Sequence, residues 1–494
     1  MLSFSQELHA LIEAGYPYLW LVTWEEERVT SLVAALSAAL QRPITTWRPE
    51  EGPGRPEASL DAFLEELAAA TRPQVALLFD AHPYLDDVAR VRRLRLLQRA
   101  LAKTRSTCVF VAPQRVTPVG LERDWTVLDV PLPDRVELCK IVEDVLGEAG
   151  VSEETEVLRI ADAALGLTAR QARRALDKAK HLQRLARARR QPFAWAPAVH
   201  REKRSLLTAG GALELWQPEE TMRDVGGLDA LKEWIAERRR VFDPDARAFG
   251  LPEPKGLLML GVQGCGKSLA AKAVANDWGL PLLRLDLSSL FLGGTAPDRV
   301  LRDALRTAEA MAPSILWVDE LEKGLDTGGD AGANRLLGAL LTWMQEKRSP
   351  VFFVATANKV DRLPPELLRR GRFDEIFFVD LPDTAARAEI LAIHLQRKQR
   401  DPSTFDLNEL AKFCQHFSGA ELEQVVVAAL HRCFAHEVSL TDKELLLAAR
   451  TVVPLYRLYE EEIKALRTWA DGRARPACLS RRLSDYFRTP SSNA

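Results

Sequence analysis

The sequence contains no run of about 18 apolar residues, although 47% of its 494 residues are hydrophobic, and its first residues lack a basic segment before an apolar core. It has six cysteines without a C-x-x-C pair, and its eight histidines form no cluster at metal-binding spacing. The 67 basic and 69 acidic residues nearly cancel, giving a formal net charge of −2. These absences exclude a membrane-spanning helix, a zinc site and a whole-chain attraction to nucleic acid or to a membrane. They predict a cytoplasmic protein, or a stromal one in a plastid-bearing host.

Apolar strand patterns alternate with helical patterns in the first part of the chain. Residues 18–23, 74–80 and 108–112 have the composition of buried strands, and amphipathic segments lie between them. Such alternation predicts an α/β domain with a doubly wound parallel sheet and helices on both faces.

The second half repeats this plan, with strand patterns at residues 257–261, 315–319 and 351–355. In both halves a strand ends in aspartate, and a later V-x-L-P-D segment precedes a helix. We infer two copies of one nucleotide-binding module within the roughly three domains that this length allows. The alternative is that any two α/β domains look alike at this level of pattern.

The strongest motif is G-x-x-x-x-G-K-[ST] at residues 261–268, which is typical of a phosphate-binding loop. Its glycines allow successive backbone N–H groups to surround an anion, its lysine adds a positive charge, and its last hydroxyl can hold Mg²⁺. The next helix adds its N-terminal dipole. The motif predicts an ATP/ADP and Mg²⁺ site that includes Gly261, Val262, Gln263, Gly264, Cys265, Gly266, Lys267, Ser268 and Leu269.

Cys265 within this loop has two interpretations. The first is that a small side chain is needed where the backbone approaches the phosphates. The second is a redox-sensitive thiol, because a neighbouring lysine and a helix N-terminus lower the pKa of cysteine.

Carboxylate and amide side chains follow the next two strands of the second half. Asp319 ends an apolar strand and is placed to hold the water shell of Mg²⁺ together with Ser268, while Glu320 can orient and deprotonate the attacking water. Asn358 follows the strand at residues 351–355, where it would place an amide between the γ-phosphate and the water. Its alternative interpretation is an ordinary turn residue.

Arg369 and Arg372 form a basic cluster too far along the chain to reach the phosphates of their own subunit easily. If they act in trans, they supply positive charge to the transition state in a neighbouring subunit, an effect of roughly 10³–10⁵ in rate. That interpretation requires an oligomeric ring with heterologous interfaces.

The first copy has lost the chemistry of the second. Its loop at residues 22–28 has no glycine and carries three acidic residues that repel phosphate, and Asp80 is followed by Ala81 instead of a second carboxylate. We therefore expect a scaffold or client-binding role for this copy. A divergent active site is the alternative.

Residues 170–204 are rich in arginine and lysine and include Phe193 and Trp195. Interleaved basic and aromatic side chains can bind single-stranded nucleic acid by phosphate contacts and stacking. The favoured interpretation is a solvated helix face followed by a linker, with Pro192 and Pro197 marking the end of the helix and an extended segment.

Several of these motifs together resemble an AAA+ ATPase module of the AAA subfamily over about residues 222–430: the phosphate loop, Asp319-Glu320, T-A-N at 356–358, G-R-F-D at 371–374 and S-G-A-E-L at 418–422. The segment D-V-G-G-L at 224–228 is similar to the adenine-flanking segment of that subfamily. The resemblance implies a P-loop NTPase fold with a C-terminal helical lid. It implies adenine or ribose contacts from Asp224, Val225, Gly226, His394, Gly419 and Ala420.

Over nearly the whole chain the sequence also resembles the divergent AAA ATPases encoded as a hypothetical reading frame in some plastid genomes and found in cyanobacteria and other bacteria. This resemblance implies a degenerate N-terminal ATPase-like domain followed by one active module. With the patterns above, we expect a degenerate AAA-like α/β domain at residues 1–180, a basic linker at 181–221, a large ATPase subdomain at 222–382, a helical lid at 383–470 and a flexible tail at 471–494.

One departure from the family concerns the central-pore loop. The matching residues 289–296 contain Phe291 but lack the lysine that precedes the aromatic in translocases. Phe291 is therefore either a pore residue or a core residue. Our leading hypothesis is a hexameric, Mg·ATP-hydrolysing remodeller of an unknown protein client. The alternatives are a slow nucleotide-dependent assembly switch or scaffold, and a remodeller of single-stranded nucleic acid.

Overall fold

A computed structural model describes residues 3–50, 56–85, 87–113, 121, 124–151, 153–209, 212–252, 254–291, 297–325, 331–347, 349–369 and 371–478. The chain forms two compact units, residues 1–199 and 200–494. Each is described by itself.

The first unit is a parallel sheet with the strand order β2-β3-β4-β1-β5. The strands are β1 (Tyr18–Val22), β2 (Ile44–Trp47), β3 (Val75–Phe79), β4 (Thr107–Ala112) and β5 (Trp125–Asp129). The helices are α1 (Phe4–Ala14), α2 (Glu26–Ala39), α3 (Pro56–Ala69), α4 (Val88–Thr104), α5 (Arg135–Leu146), α6 (Glu154–Ala164) and α7 (Ala169–Ala188).

Both faces of this sheet are covered by helices, so β3 and β4 are buried along their whole length. Alternate residues of β1 point to opposite faces: Tyr18 and Trp20 belong to one apolar cluster, while Leu19 and Leu21 belong to the other. The predicted doubly wound sheet is confirmed.

The second unit contains a seven-stranded sheet of the order β12-β11-β7-β10-β9-β8-β6 among the residues described. Helix α8 (Trp195–Ala209) crosses the boundary between the units. The strands are β6 (Leu213–Trp216), β7 (Gly256–Gly261), β8 (Leu282–Leu285), β9 (Ser314–Val318), β10 (Val351–Ala357), β11 (Glu375–Val379) and β12 (Arg475–Pro476). The helices between these strands are α9 (Asp229–Glu237), α10 (Pro244–Ala248), α11 (Lys267–Trp278), α12 (Pro297–Ala310), α13 (Leu321–Leu325) and α14 (Ala331–Glu346).

The two sheets share one topology. The order β8-β9-β10-β7-β11 in the second unit repeats β2-β3-β4-β1-β5 in the first, with every one of these neighbours parallel. The second unit adds two edge strands, of which β6 runs antiparallel to β8. This agreement in strand order supports the inference of two copies of one module.

A helical subdomain with its own apolar core follows β11. It consists of α15 (Thr384–Arg397), α16 (Leu407–Phe413), α17 (Gly419–Ala435) and α18 (Asp442–Thr451), and the chain then returns through α19 (Leu455–Leu458) and α20 (Glu460–Ala470). The Arg467 guanidinium on α20 donates to both oxygens of Asp380 at the end of β11, at 2.9–3.1 Å. The predicted C-terminal helical lid is confirmed.

Two segments differ from the sequence-based expectation. Residues 195–209 form a helix where an extended segment was expected after Pro197, because a proline in the first turn needs no N–H partner. The expected tail at 471–494 begins with β12, which pairs with β11. Residues 479–494 lie outside the described part of the chain.

Candidate functional site

The phosphate loop joins β7 to α11 and depends on three glycines with positive φ. At Gly261 (φ 145°) a Cβ would lie 1.9 Å from the carbonyl oxygen of Val379, so no other residue fits. Gly264 (φ 76°) and Gly266 (φ 89°) adopt backbone conformations that side chains disfavour. These conformations let the loop curl and place the N-terminus of α11 at its open side.

The Lys267 ammonium is held inside this loop. Its side chain is 6% exposed, and Nζ donates to the carbonyl oxygens of Gly261 at 2.8 Å and Val262 at 2.7 Å. Burial lowers the pKa of Lys267 to about 8. The loop therefore carries a positive charge that is poorly solvated by water and well placed to bind an anion.

Asp319, directly after β9, connects the loop to the neighbouring strand. Its Oδ1 accepts hydrogen bonds from Ser268 Oγ at 2.7 Å and from Thr356 Oγ1 at 2.6 Å. A hydroxyl and a carboxylate at this position match the oxygen ligands that Mg²⁺ prefers, with room for water and phosphate oxygens. The residues present thus fit the predicted Mg²⁺ site.

Glu320 and Asn358 meet beside Asp319. Glu320 adopts a left-handed conformation (φ 51°), and its N–H donates to Thr356 Oγ1 at 3.0 Å. The Asn358 amide, after β10, donates from Nδ2 to Glu320 Oε1 at 3.1 Å, and Lys323 forms an ion pair with the other carboxylate oxygen. A carboxylate and an amide are therefore held together at the carboxyl ends of two adjacent strands.

Glu322 is a buried acid that the sequence analysis did not single out. Its side chain is buried, and Oε1 accepts the backbone N–H of Asn358 at 2.9 Å. Burial raises the pKa of the Glu322 carboxyl group, while the hydrogen bond from Asn358 opposes this change.

The other wall of the site is formed by the residues expected to contact adenine or ribose. A Cβ on Gly226 would lie 2.5 Å from the Ile390 side chain, which packs this segment against α15. At the lid, the Ala420 N–H donates to the Gly264 carbonyl at 3.0 Å. Burial lowers the pKa of His394, which lies near Glu423.

Asp224 closes this side of the site by pairing with the lid residue Arg397, at 3.0 Å between Oδ1 and Nη2. Burial favours the neutral acid, but hydrogen bonds from Thr221 and Arg397 outweigh burial, so the pKa of Asp224 is lowered. The carboxylate is thus charged when it bridges the large subdomain and the lid.

These groups line one cleft of about 380 Å³. It includes most of the residues that the sequence predicted: Asp224, Val225, Gly226, Gln263, Gly264, Cys265, Gly266, Lys267, Ser268, Leu269, Asp319, Glu320, Asn358, His394, Gly419 and Ala420. It also includes residues that were not predicted, namely Thr356, Ile390, Ile393, Arg397 and Glu423. The first two loop residues, Gly261 and Val262, are not among the described residues that line the cleft. Their carbonyl oxygens accept hydrogen bonds from Lys267.

Arg369 and Arg372 are not brought into this cleft. The Asp374 carboxylate accepts the backbone N–H groups of Lys255 and Gly256, at 2.7 and 3.0 Å, where β7 begins. The phosphate loop follows the other end of that strand, and the five steps of about 3.3 Å along its six residues separate the two ends by roughly 17 Å. Arg369 is exposed, whereas Arg372 donates to the Leu341 carbonyl and to Gln345 on α14.

The expected low pKa of Cys265 is wrong. The thiol is buried against the lid, and this burial raises its pKa to about 12, since desolvation outweighs the attraction of Lys267. The thiol is therefore protonated at neutral pH. The interpretation of Cys265 as a small residue beside the phosphates is the one that fits.

Phe291 packs against the main hydrophobic core of the second unit. This contact agrees with the interpretation of Phe291 as a core residue. Residues 292–296, the remainder of the expected pore loop, lie outside the described part of the chain.

In the first unit, the loop between β1 and α2 is filled by one of its own carboxylates. Glu25 is 9% exposed, its Oε1 accepts the N–H of Ala169 at the start of α7 at 2.5 Å, and its Oε2 accepts from Arg28 at 3.0 Å. Arg28 also binds Glu137 of α5 at 2.6 Å. An internal anion thus occupies the helix N-terminus beside this loop.

The basic segment at residues 170–204 covers nearly all of α7 and the first part of α8, and its residues 181–190 are mostly exposed. Nearer its start, Arg173 pairs with Asp144 at 3.3 Å and Lys180 with Glu148 at 3.6 Å. The solvated helix face favoured by the sequence is consistent with this arrangement.

The site combines a phosphate loop after β7, an acidic pair after β9, an amide after the neighbouring strand β10 and a helical lid. Together these features define a P-loop ATPase of the AAA class. The family model described as ATPase family associated with various cellular activities (AAA) matches residues 257–381. The model described as SpoVK-like AAA ATPase, N-terminal domain, matches residues 4–130. The chain belongs to the AAA ATPase family.

Relatives that match almost the whole chain are AAA domain-containing proteins called ycf46. The protein of Pyropia yezoensis is 35% identical over 503 residues, which cover 97% of this chain and 100% of that protein. The protein of Guillardia theta is 37% identical over 489 residues and 95% of each chain. The proteasome-activating nucleotidase of Aeropyrum pernix is 37% identical over 227 residues, 43% of this chain and 55% of its own. The similarity thus extends over both units for the ycf46 proteins and over less than half of the chain for the nucleotidase.

No helix in the described part of the chain is long and apolar enough to cross a membrane.

Proposed function

We propose that this protein hydrolyses Mg·ATP and uses the energy to remodel a protein partner as a hexameric ring. The observation that supports hydrolysis is the continuous set of hydrogen bonds from Ser268 through Asp319 and Thr356 to Glu320 and Asn358. A site that only bound nucleotide would need the phosphate loop, but it would not need a carboxylate and an amide held at the position of the attacking water.

In this proposal each side chain has one task. Lys267 and the N-terminus of α11 bind the outer phosphates, and Ser268 and Asp319 hold Mg²⁺, which supplies charge neutralisation of the phosphates when bound. Glu320 accepts the proton of the water, and Asn358 holds Glu320 through the 3.1 Å hydrogen bond. Asp224 and His394 lie on the opposite wall, where they would contact adenine or ribose.

The arginines complete the site in trans in this proposal. Asp374 and Gly371 anchor their loop at the start of β7, a strand whose two ends lie roughly 17 Å apart, and this distance from the phosphate loop supports action of Arg369 and Arg372 on a neighbouring subunit. Arg369 is the better candidate to reach a neighbouring subunit because its side chain is exposed, while Arg372 is engaged by α14.

The Glu320→Gln variant tests the proposal. The new amide side chain can keep the hydrogen bond to Asn358 but cannot accept a proton, so we expect ATP binding within about threefold of wild type and a fall in kcat of at least about 10²-fold. Steady-state phosphate release and equilibrium nucleotide titration measure the two effects. Glu233→Gln, at an exposed position on α9, is the control. Turnover at the wild-type rate in Glu320→Gln would remove Glu320 from the mechanism.

A second candidate function is a slow nucleotide-dependent assembly switch or scaffold, and the packing of Phe291 into the core favours it. A remodelling motor accelerates its ATPase when a client is added, whereas a switch changes its oligomeric state with nucleotide and turns over slowly. Affinity capture with Glu320→Gln in ATP provides candidate clients, and the ATPase rate with and without them separates the two functions. The client, the cytoplasmic or stromal location and the nucleic-acid alternative stay predictions.

A further inference from the structure

The carboxylate of Glu322 is buried next to the backbone of Asn358, one of the residues at the catalytic end of the cleft. The side chain is 4% exposed and stands two residues after Glu320, at the start of α13. A buried carboxylate is costly unless its oxygens accept hydrogen bonds. One oxygen, Oε2, has no hydrogen-bond partner among the described residues, so this acid is not explained by a saturated structural network.

The other oxygen is directed at the residue that holds the catalytic base. Glu322 Oε1 accepts the backbone N–H of Asn358 at 2.9 Å, and the Asn358 side chain in turn donates to Glu320 Oε1 at 3.1 Å. Glu320 and Glu322 are two positions apart on one segment, so the two hydrogen bonds connect Asn358 to this segment at two points. Asn358 is thus fixed at its backbone by one acid and reaches the other with its amide.

Two further groups surround Glu322. Lys267 attracts its carboxylate through space, and Glu320 repels it. The backbone of α13 also packs closely against Leu287, since a Cβ on Gly324 would lie 2.2 Å from that side chain. The Glu322 side chain is therefore held by its hydrogen bond to Asn358, on a short helix that packs closely against Leu287.

We propose that Glu322 is a positioning residue for the hydrolysis step, which sets the Asn358 amide and through it the orientation of Glu320. This inference rests on the proposed ATPase function. Glu322 is not among the described residues that line the nucleotide cleft, so it acts through Asn358 and not by contact with the substrate.

Three variants separate this role from a role in binding or folding. In Glu322→Ala the hydrogen bond to the Asn358 backbone is lost, and a misplacement of about 1 Å at the reacting groups lowers kcat by about tenfold to 10²-fold. In Glu322→Gln the amide oxygen still accepts that N–H, so kcat stays within about threefold of wild type. Glu233→Gln on the exposed face of α9 is the matched control. The KM for ATP and the affinity for a fluorescent ATP analogue stay within about threefold in all three.

A double-mutant cycle with Asn358→Ala provides the decisive readout. If Glu322 acts through Asn358, adding Glu322→Ala to Asn358→Ala lowers kcat by less than about threefold more, since the amide to be positioned is already absent. Multiplicative effects would overturn the proposal, and so would wild-type kcat in Glu322→Ala or an equal loss in Glu322→Gln. Thermal unfolding with and without ATP shows whether Glu322→Ala folds; if it does not, Glu322→Met, which fills the same space but cannot accept the Asn358 N–H in the same way, takes its place with the same expected loss of kcat. Absence of ATPase in the wild-type protein would instead contradict the proposed function itself.

Discussion

Glu25 in the first unit lies between β1 and α2, where the second unit has its phosphate loop. In the second unit the lid helix α17 approaches this loop through a backbone contact between Ala420 and Gly264. In the first unit α7 has the same place in the chain order, as the third α-helix after the fifth strand of the shared topology. It donates its Ala169 N–H to the Glu25 carboxylate instead. A side chain that repels free phosphate thus satisfies a helix N-terminus, which gives Glu25 a structural role in this loop.

We expect Glu25→Ala to destabilise the first unit by about 2–3 kcal/mol, because the Ala169 N–H loses its partner and the mostly buried Arg28 keeps only Glu137 as an acidic partner. Denaturant unfolding of the full chain measures the loss, and hydrogen exchange locates it at the start of α7. Glu27→Ala, in the same helical turn but exposed, is the control and should change stability by less than about 0.5 kcal/mol. Equal stability of the two variants would show that the buried carboxylate contributes nothing.

At the scale of elements, α20 and β12 bring the end of the described chain back to the sheet. Arg467 and Asp380 are 11% and 14% exposed and share a bidentate ion pair. Asp380 follows Val379, whose carbonyl oxygen accepts the N–H of Val262 in the phosphate loop at 3.0 Å. The helix is therefore connected to the nucleotide site through the end of one strand.

Arg467→Ala should lower the unfolding free energy of the second unit by about 3 kcal/mol, because it leaves Asp380 as a buried carboxylate without its cation. Lys464→Ala on the same helix removes only exposed pairs with Glu460 and Glu461, so its unfolding free energy should stay close to that of the wild-type protein. Chemical denaturation with a probe in the second unit compares the two. A similar small loss in both variants would contradict the assignment of Arg467 as the anchor of α20.

Local patterns predicted the strands that are buried on both faces, such as β3, β7 and β9, because these strands are continuous apolar runs. An aspartate or a glycine at the end of each run indicated where the strand stops. The patterns did not predict β2 or β6, which are short edge strands with polar residues such as Thr45 and Glu214. The antiparallel direction of β6 depends on its pairing with β8, and nothing within its four residues encodes that pairing.

The same distinction holds within the site. Residues of the phosphate loop and the Asp319-Glu320 pair were predictable because their chemistry is encoded by spacing along the chain. Thr356 and Glu322 were not singled out, because their roles depend on which strands are neighbours and on what is buried below the Asn358 loop. A D-E-x-E pattern after the strand was the available signal for Glu322.

At the scale of the molecule, the arrangement predicts that catalysis is shared between chains. Lys267→Ala lacks a phosphate site but retains Arg369, whereas Arg369→Ala retains the phosphate site. Each variant alone should be nearly inactive, and an equimolar mixture should regain activity, up to about a quarter of the sites if subunits mix randomly in a ring. ATPase assays of the mixture after subunit exchange measure this recovery. Two variants that stay inactive when mixed, while still co-assembling, would contradict action in trans.

Lys255 and Asp374 fasten the arginine loop to the first residues of the strand whose last residue opens the phosphate loop, with Lys255 Nζ donating to the Gly371 carbonyl at 2.6 Å. One strand of six residues therefore connects the attachment point of the arginine loop with the start of the phosphate loop. In the proposed ring the two ends of β7 would serve two different active sites, because its last residue opens the phosphate loop of its own chain and its first residues hold the arginine loop that is offered to the neighbour.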